Sequence, residues 1–126
     1  MTARRVDREG PIHRAIVTYL RAVLPADAIV HHSAGEGVRG GKSGEIDGAK
    51  RKAMGQVAGF PDILIFTGGR GYCIEVKAEG GTLSEPQKMV RDILKGQGIP
   101  YAVCRSLDDA RETISEWGIR TREVAA

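Results

Sequence analysis

An α/β domain built on a central mixed sheet is the fold class that this 126-residue sequence predicts. Three observations carry it. Apolar residues recur at helical spacing near the start and in the last third, short apolar runs of strand length lie between them, and glycine-rich turns separate the runs. The length suits a single core, so the expectation is one domain over 1–126, with its core at about 9–118 and a glycine-rich basic loop at about 33–59.

Ile12, Ala15, Ile16, Tyr19, Leu20 and Val23 form the one-sided stripe of an amphipathic helix, with Gly10 and Pro11 fitting its N-cap and first helical position and Pro25 stopping it. Ala28 to His32 reads as a short strand, and the stretch 33–59 as a long loop with a short helix near 45–54. Ile63–Phe66 and Tyr72–Val76 flank Thr67-Gly68-Gly69-Arg70-Gly71 and should pair as an antiparallel hairpin. Ser84 with Gln87 three residues on is a capping box, opening a helix whose apolar face is Val90, Ile93 and Leu94 and which ends at Gly96 and Gly98. Ile99–Cys104 gives a fourth strand. Ser106 and Asp109 then open a last helix with Leu107, Ala110, Ile114 and Trp117 on one face and Gly118 beyond its end, so the order is α-β-β-β-α-β-α.

Composition narrows the function. No apolar run approaches the roughly 18 residues that span a bilayer, and the polar start is unlike a signal sequence, so a cytoplasmic protein without membrane attachment is expected. Cys73 and Cys104 each sit in an apolar run, which suits buried thiols rather than disulfide or zinc frameworks. The formal net charge is +3, with ten Lys/Arg against six Asp/Glu in residues 1–60. Arg39, Lys42, Lys50, Arg51 and Lys52 concentrate that charge in the glycine-rich stretch, where backbone amides and basic side chains could approach nucleic-acid phosphates.

The chemistry gathers on the hairpin. Side chains alternate along a strand, so Glu75 and Lys77 share a face, and a turn about Gly69 brings Asp62 beside them. Two carboxylates and an amine at one place suit a hard cation such as Mg²⁺, which takes a few carboxylates together with waters and a phosphate oxygen. Such an ion acidifies a bound water and stabilises charge on a phosphodiester, while Lys77 could orient that water or neutralise developing charge.

Pro61-Asp62 followed by Glu75-Val76-Lys77 resembles the PD-(D/E)XK nuclease motif. The surrounding Gly59-Phe60-Pro61-Asp62, Ile74-Glu75-Val76-Lys77 and Gly81-Thr82-Leu83-Ser84 leading to Gln87 are similar to the VRR-NUC family of that superfamily, over roughly Glu9 to Gly118. The resemblance implies a restriction-endonuclease-like core and a metal-dependent endonuclease. Its implied metal ligands are Asp62, Glu75 and the Val76 backbone carbonyl, with Glu9 as the matching candidate for a first-helix glutamate. Lys77 is the implied catalytic lysine, and Gln87 leans into the site. His13 stands where many relatives have Gln. Mg²⁺ is the implied cofactor, with Mn²⁺ as a substitute, and no nucleotide cofactor is expected. The implied substrate is branched DNA, including four-way (Holliday) junctions, as for phage and bacterial enzymes of this kind. Cutting two symmetry-related strands from one active site per chain further points to a homodimer. The alternatives are a monomeric flap or fork nuclease and a non-catalytic DNA-binding assembly factor.

Two other motifs lead elsewhere. Gly35-Glu36-Gly37-Val38-Arg39-Gly40 matches a dinucleotide-binding pattern, but a hairpin replaces the βαβ continuation that pattern needs. Gly41-Lys42-Ser43 looks like the end of a phosphate-binding loop, yet Glu36 occupies its first glycine position. His31 and His32 are adjacent on a strand and should face opposite ways, and Tyr19 and Trp117 fit the apolar faces of their helices.

Overall fold

The computed structural model describes residues 6–33, 49–50 and 52–122. Helix α1 (Glu9–Val23) leads to β1 (Ile29–His32), β2 (Ile63–Thr67), β3 (Arg70–Val76), α2 (Glu85–Gly96), β4 (Tyr101–Cys104) and α3 (Leu107–Glu116), the α/β order expected from the sequence. The strands form one sheet in the order β1-β2-β3-β4, antiparallel across the first two pairings and parallel across the last. The tight turn between β2 and β3 can only reverse the chain, whereas the return through α2 lets β4 run alongside β3.

The hairpin turn is shorter than the five residues expected. Thr67 pairs with Arg70, leaving Gly68 and Gly69 as the turn, with φ of 59° and 77°. Two central residues with positive φ make a turn whose twist matches that of the flanking strands, so pairing continues to its edge and Arg70 and Gly71 join β3.

Helix α1 also begins earlier than Gly10-Pro11 implied. Its N-cap is Arg8, without a side-chain cap, and the Asp7 carboxylate accepts from the Gly10 N–H at 2.9 Å. Pro11 is tolerated in the first turn because its missing N–H would have had no helical partner there. Glu9 therefore stands inside the first turn.

One face of the sheet builds the core. Ile16, Leu20 and Leu24 from α1 and Ala110 and Ile114 from α3 pack on Val30, Ile63, Ile65, Tyr72, Ile74 and Val76. Trp117 stacks on Tyr72 with ring centroids 5.2 Å apart, and Tyr19 packs against the core under the Arg111 guanidinium, which supports the structural reading of both aromatics. Cys73 and Cys104 are buried thiols, as expected. The opposite face carries Cys73, Glu75 and Tyr101 on β3 and β4, where α2 packs beside β4.

Residues 49–50 and 52–53 are helical, within the short helix expected at 45–54. Arg39, Lys42, Arg51 and the two glycine-rich motifs fall outside the described residues; Lys50 and Lys52 are described and exposed. Among the described residues, no helix is long and apolar enough to cross a membrane.

Candidate active site

The register of the hairpin assembles the site. Ile63 pairs with Ile74, so one step further along the antiparallel ladder Asp62 lies opposite Glu75. Both are buried, at 8% and 1% exposure. Burying a carboxylate costs several kcal/mol unless partners replace its water, and each acid has such a partner. The Val76 N–H donates to Asp62 Oδ2 at 2.9 Å, and Gln87 Nε2 donates to Glu75 Oε2 at 3.0 Å. Lys77 Nζ lies 3.9 Å from the same Glu75 oxygen, with its side chain only 12% exposed.

Local sequence chemistry explains why these groups stay put. Ser33 N–H donates to the Asp62 carbonyl at 2.7 Å, tying the end of β1 to the entry of β2. On the far side, Ser84 and Gln87 form the expected capping box: Gln87 Oε1 accepts from the Ser84 N–H at 2.8 Å while Ser84 Oγ accepts from the Gln87 N–H at 3.3 Å. The amide nitrogen of Gln87 remains available for Glu75, so the capping and site roles coexist in one side chain. Gly59, with φ of 80°, packs its α-carbon against the start of α2, and a methyl group there would sit 2.4 Å from the Pro86 carbonyl carbon. The segment entering β2 and the helix bearing Gln87 are thus in backbone contact.

The turn after Lys77 is held by arginines. Arg105 Nη1 donates to the carbonyls of Ala78 at 2.9 Å and Gly81 at 2.6 Å, and Arg8 Nη2 donates to that of Glu79 at 3.2 Å.

The structure brings Asp62, Glu75, Lys77 and Gln87 together, as the sequence suggested. Val76 adds its N–H to Asp62, a bond that residue spacing alone does not reveal. Glu9 is half-buried in the first turn of α1, and no hydrogen bond or ion pair joins it to Asp62 or Glu75. His31 and His32 pair with Leu64 and Ile63, on opposite faces as expected for neighbours in a strand. His32 meets His13 of α1 edge to face, with centroids 4.6 Å apart. Burial and then His32 hold His13 below its usual pKa of 6.5, while the charge of Asp62 opposes them, so His13 lies within reach of the site's field. Periodicity and spacing carried no signal for this contact, because it joins α1 to a strand edge.

Chemically, the arrangement offers two desolvated carboxylates from adjacent strands, a lysine beside one of them and a neutral amide that orients it. Among the described residues no three His, Cys, Asp or Glu side chains converge as a metal-binding group. Two buried carboxylates on adjacent strands are donors that would suit a hard cation such as Mg²⁺, which takes a few carboxylates and keeps waters.

Comparison with known proteins agrees with this picture. A search of curated proteins finds no match. Among solved structures, one titled "VRR_NUC domain protein" superposes with a TM-score of 0.68 at 22% identity, covering 90% of each chain. Another, titled "VRR_NUC domain", gives 0.62 at 18% identity over 89% of this chain and 99% of the other. At these identities the likeness establishes the fold, which is restriction-endonuclease-like. The family model described as the VRR-NUC domain matches residues 29–108, a span that contains Asp62, Glu75, Lys77 and Gln87. The chain belongs to the VRR-NUC domain family, whose members carry a nuclease domain of the PD-(D/E)XK type.

Proposed function

We propose that this chain is a Mg²⁺-dependent endonuclease that hydrolyses phosphodiester bonds in branched DNA, with the four-way junction as its preferred substrate and a two-fold homodimer as its working form. The observation that supports the chemistry is the facing pair of buried acids, Asp62 and Glu75, with Lys77 Nζ 3.9 Å from Glu75. Buried charges of this kind cost stability unless something binds them, and structural ion pairing alone would need only one acid for Lys77.

Asp62 and Glu75 would hold the cation, with the Val76 carbonyl as a third oxygen. When bound, the ion supplies Lewis acidity and lowers the pKa of a coordinated water. The chain's own groups set the geometry. Val76 N–H fixes the Asp62 carboxylate and Gln87 fixes that of Glu75, so neither acid needs to reorganise as charge develops. Lys77, the cation of the motif, would stabilise charge on the phosphate as water adds to phosphorus and one P–O ester bond breaks. The products are a phosphate monoester and a hydroxyl.

The substrate reading follows from symmetry. The described residues hold one such site, and resolving a four-way junction requires nicks on two symmetry-related strands, which a two-fold dimer would deliver. Incubating labelled duplex, flap, fork and four-way junction DNA with the protein in Mg²⁺, Mn²⁺ or EDTA tests the proposal. Paired nicks on the junction, supported by Mg²⁺ or Mn²⁺ and abolished by EDTA, are expected, with a dimeric mass by light scattering. A monomer cutting one strand of flaps or forks overturns the junction and dimer assignments. Binding without cleavage overturns the enzymatic one.

A further inference from the structure

Tyr101 opens β4 directly opposite Cys73, and Val103 pairs with Glu75. Alternation therefore puts the side chains of Cys73, Glu75, Tyr101 and Val103 on one sheet face. From Tyr101 to Glu75 is one strand spacing across and two residues along, roughly 4.8 and 6.6 Å, a diagonal that a phenol and a glutamate span between them. Tyr101 is 9% exposed, and its hydroxyl is buried with no hydrogen-bond partner among the described residues. Buried tyrosine hydroxyls nearly always find a partner, so an orphan beside two buried acids calls for an explanation. Burial, then the charge of Glu75, push its pKa far above the usual range. Asp62 adds to the rise and Arg91 opposes it, so the group remains a protonated donor.

We propose that Tyr101 is a positioning residue of the Asp62–Glu75 centre: with a cation bound there, its hydroxyl donates, directly or through one buried water, a hydrogen bond that holds the Glu75 carboxylate in its cation-binding orientation, a bond that the cation-free protein does not make. This rests on the reading of Asp62 and Glu75 as the metal-binding pair. A carboxylate has about four acceptor positions. Gln87 occupies one from the side of α2, and Tyr101 would brace the group from β4. Both donors are neutral, so they fix its rotation without cancelling the charge that a cation needs. Arg91, the cation near Tyr101, is engaged with Asp92 at 2.8 Å.

The test uses the full-length protein without DNA, comparing Tyr101→Phe with wild type and with Glu75→Gln. Thermal unfolding in EDTA should show Tyr101→Phe at or above the wild-type Tm, because the substitution removes a buried polar group that makes no bond. Mn²⁺ affinity, followed by electron paramagnetic resonance, should fall about three- to tenfold, the net worth of one typical hydrogen bond. Single-turnover cleavage should show a lower rate constant at unchanged DNA affinity. Wild-type Mn²⁺ affinity in Tyr101→Phe overturns the proposal. So does a Tm drop of several degrees in EDTA, which would give the hydroxyl a structural partner. If Glu75→Gln binds Mn²⁺ and cleaves like wild type, the site reading itself fails, an outcome distinct from failure of Tyr101 alone.

Discussion

Gln87 donates to Glu75 Oε2 at 3.0 Å while its own Oε1 accepts from the Ser84 N–H at 2.8 Å, so one side chain joins the start of α2 to a buried carboxylate on β3. The link makes helix capping and site geometry interdependent. Gln87→Ala should lower stability by about 1–3 kcal/mol, through loss of half a capping box and of a hydrogen bond to a charged group. Gln87→Glu keeps the capping acceptor but sets a second carboxylate against Glu75. That variant should be more stable at pH 5 than at pH 8, because protonation of one acid relieves the repulsion. Urea unfolding at the two pH values checks both.

Asp62 separates stability from chemistry. Asp62→Ala removes the acceptor for the Val76 N–H and should cost about 1–3 kcal/mol, the penalty for an unsatisfied buried donor. Asp62→Asn retains an oxygen acceptor and the side-chain volume, so its stability should stay close to wild type. Both variants should lose cleavage, and comparing their denaturation midpoints with their rates shows whether the two effects part as expected.

Much of the fold and site was legible in the sequence because it depends on short-range pattern. The alternation of Glu75 and Lys77, a glycine pair that sets the hairpin register and the Ser84–Gln87 spacing each act within one or two elements. The sequence underestimated the hairpin at Arg70 and Gly71, since turn length depends on the φ that both glycines adopt. It misplaced the start of α1 because Asp7 takes over the capping of Gly10. Tyr101 and the His13–His32 contact were out of reach for a different reason. Their placement depends on the parallel register of β4 against β3 and on the docking of α1 at the edge strand, neither of which is written in local periodicity.

Gly59 should be intolerant of a side chain. Gly59→Ala would place a methyl group 2.4 Å from the Pro86 carbonyl carbon at a φ of 80°. Displacement of the start of α2 and strain in the left-handed region should together cost at least about 2 kcal/mol. Because Pro86 precedes Gln87, cleavage should fall more than the lost folded fraction explains. Circular dichroism melts beside single-turnover rates give the comparison.

The two thiols should be chemically quiet. Burial pushes the Cys73 thiol up to about 11, and burial raises Cys104 as well, with its hydrogen bond to Thr113 opposing. At pH 8 about one Cys73 thiol in a thousand would be ionised, so iodoacetamide should label neither cysteine in the folded protein and both in denaturant. Mass spectrometry of the alkylated peptides reads the result.

Lys50 and Lys52 are the exposed basic residues of the glycine-rich segment that the structure describes. If they meet DNA phosphates, replacing both with Ala should weaken binding to all DNA forms alike. It should also reduce the slope of log K against log salt by about 0.9 for each duplex phosphate that the protein no longer neutralises. Gel-shift titrations at several salt concentrations measure that slope.

Asp62 and Glu75 are proposed to form one metal-dependent phosphodiesterase site. Single-turnover cleavage of a four-way junction by Glu75→Gln, run with gel-shift affinity and a melting curve on the same preparation, tests it most directly. Cleavage should fall at least about a thousandfold, with the fold intact and DNA affinity within a few-fold of wild type, because the substitution removes a ligand charge and no surface cation. A folded Glu75→Gln protein that cleaves at the wild-type rate in Mg²⁺ would remove Glu75 from the site.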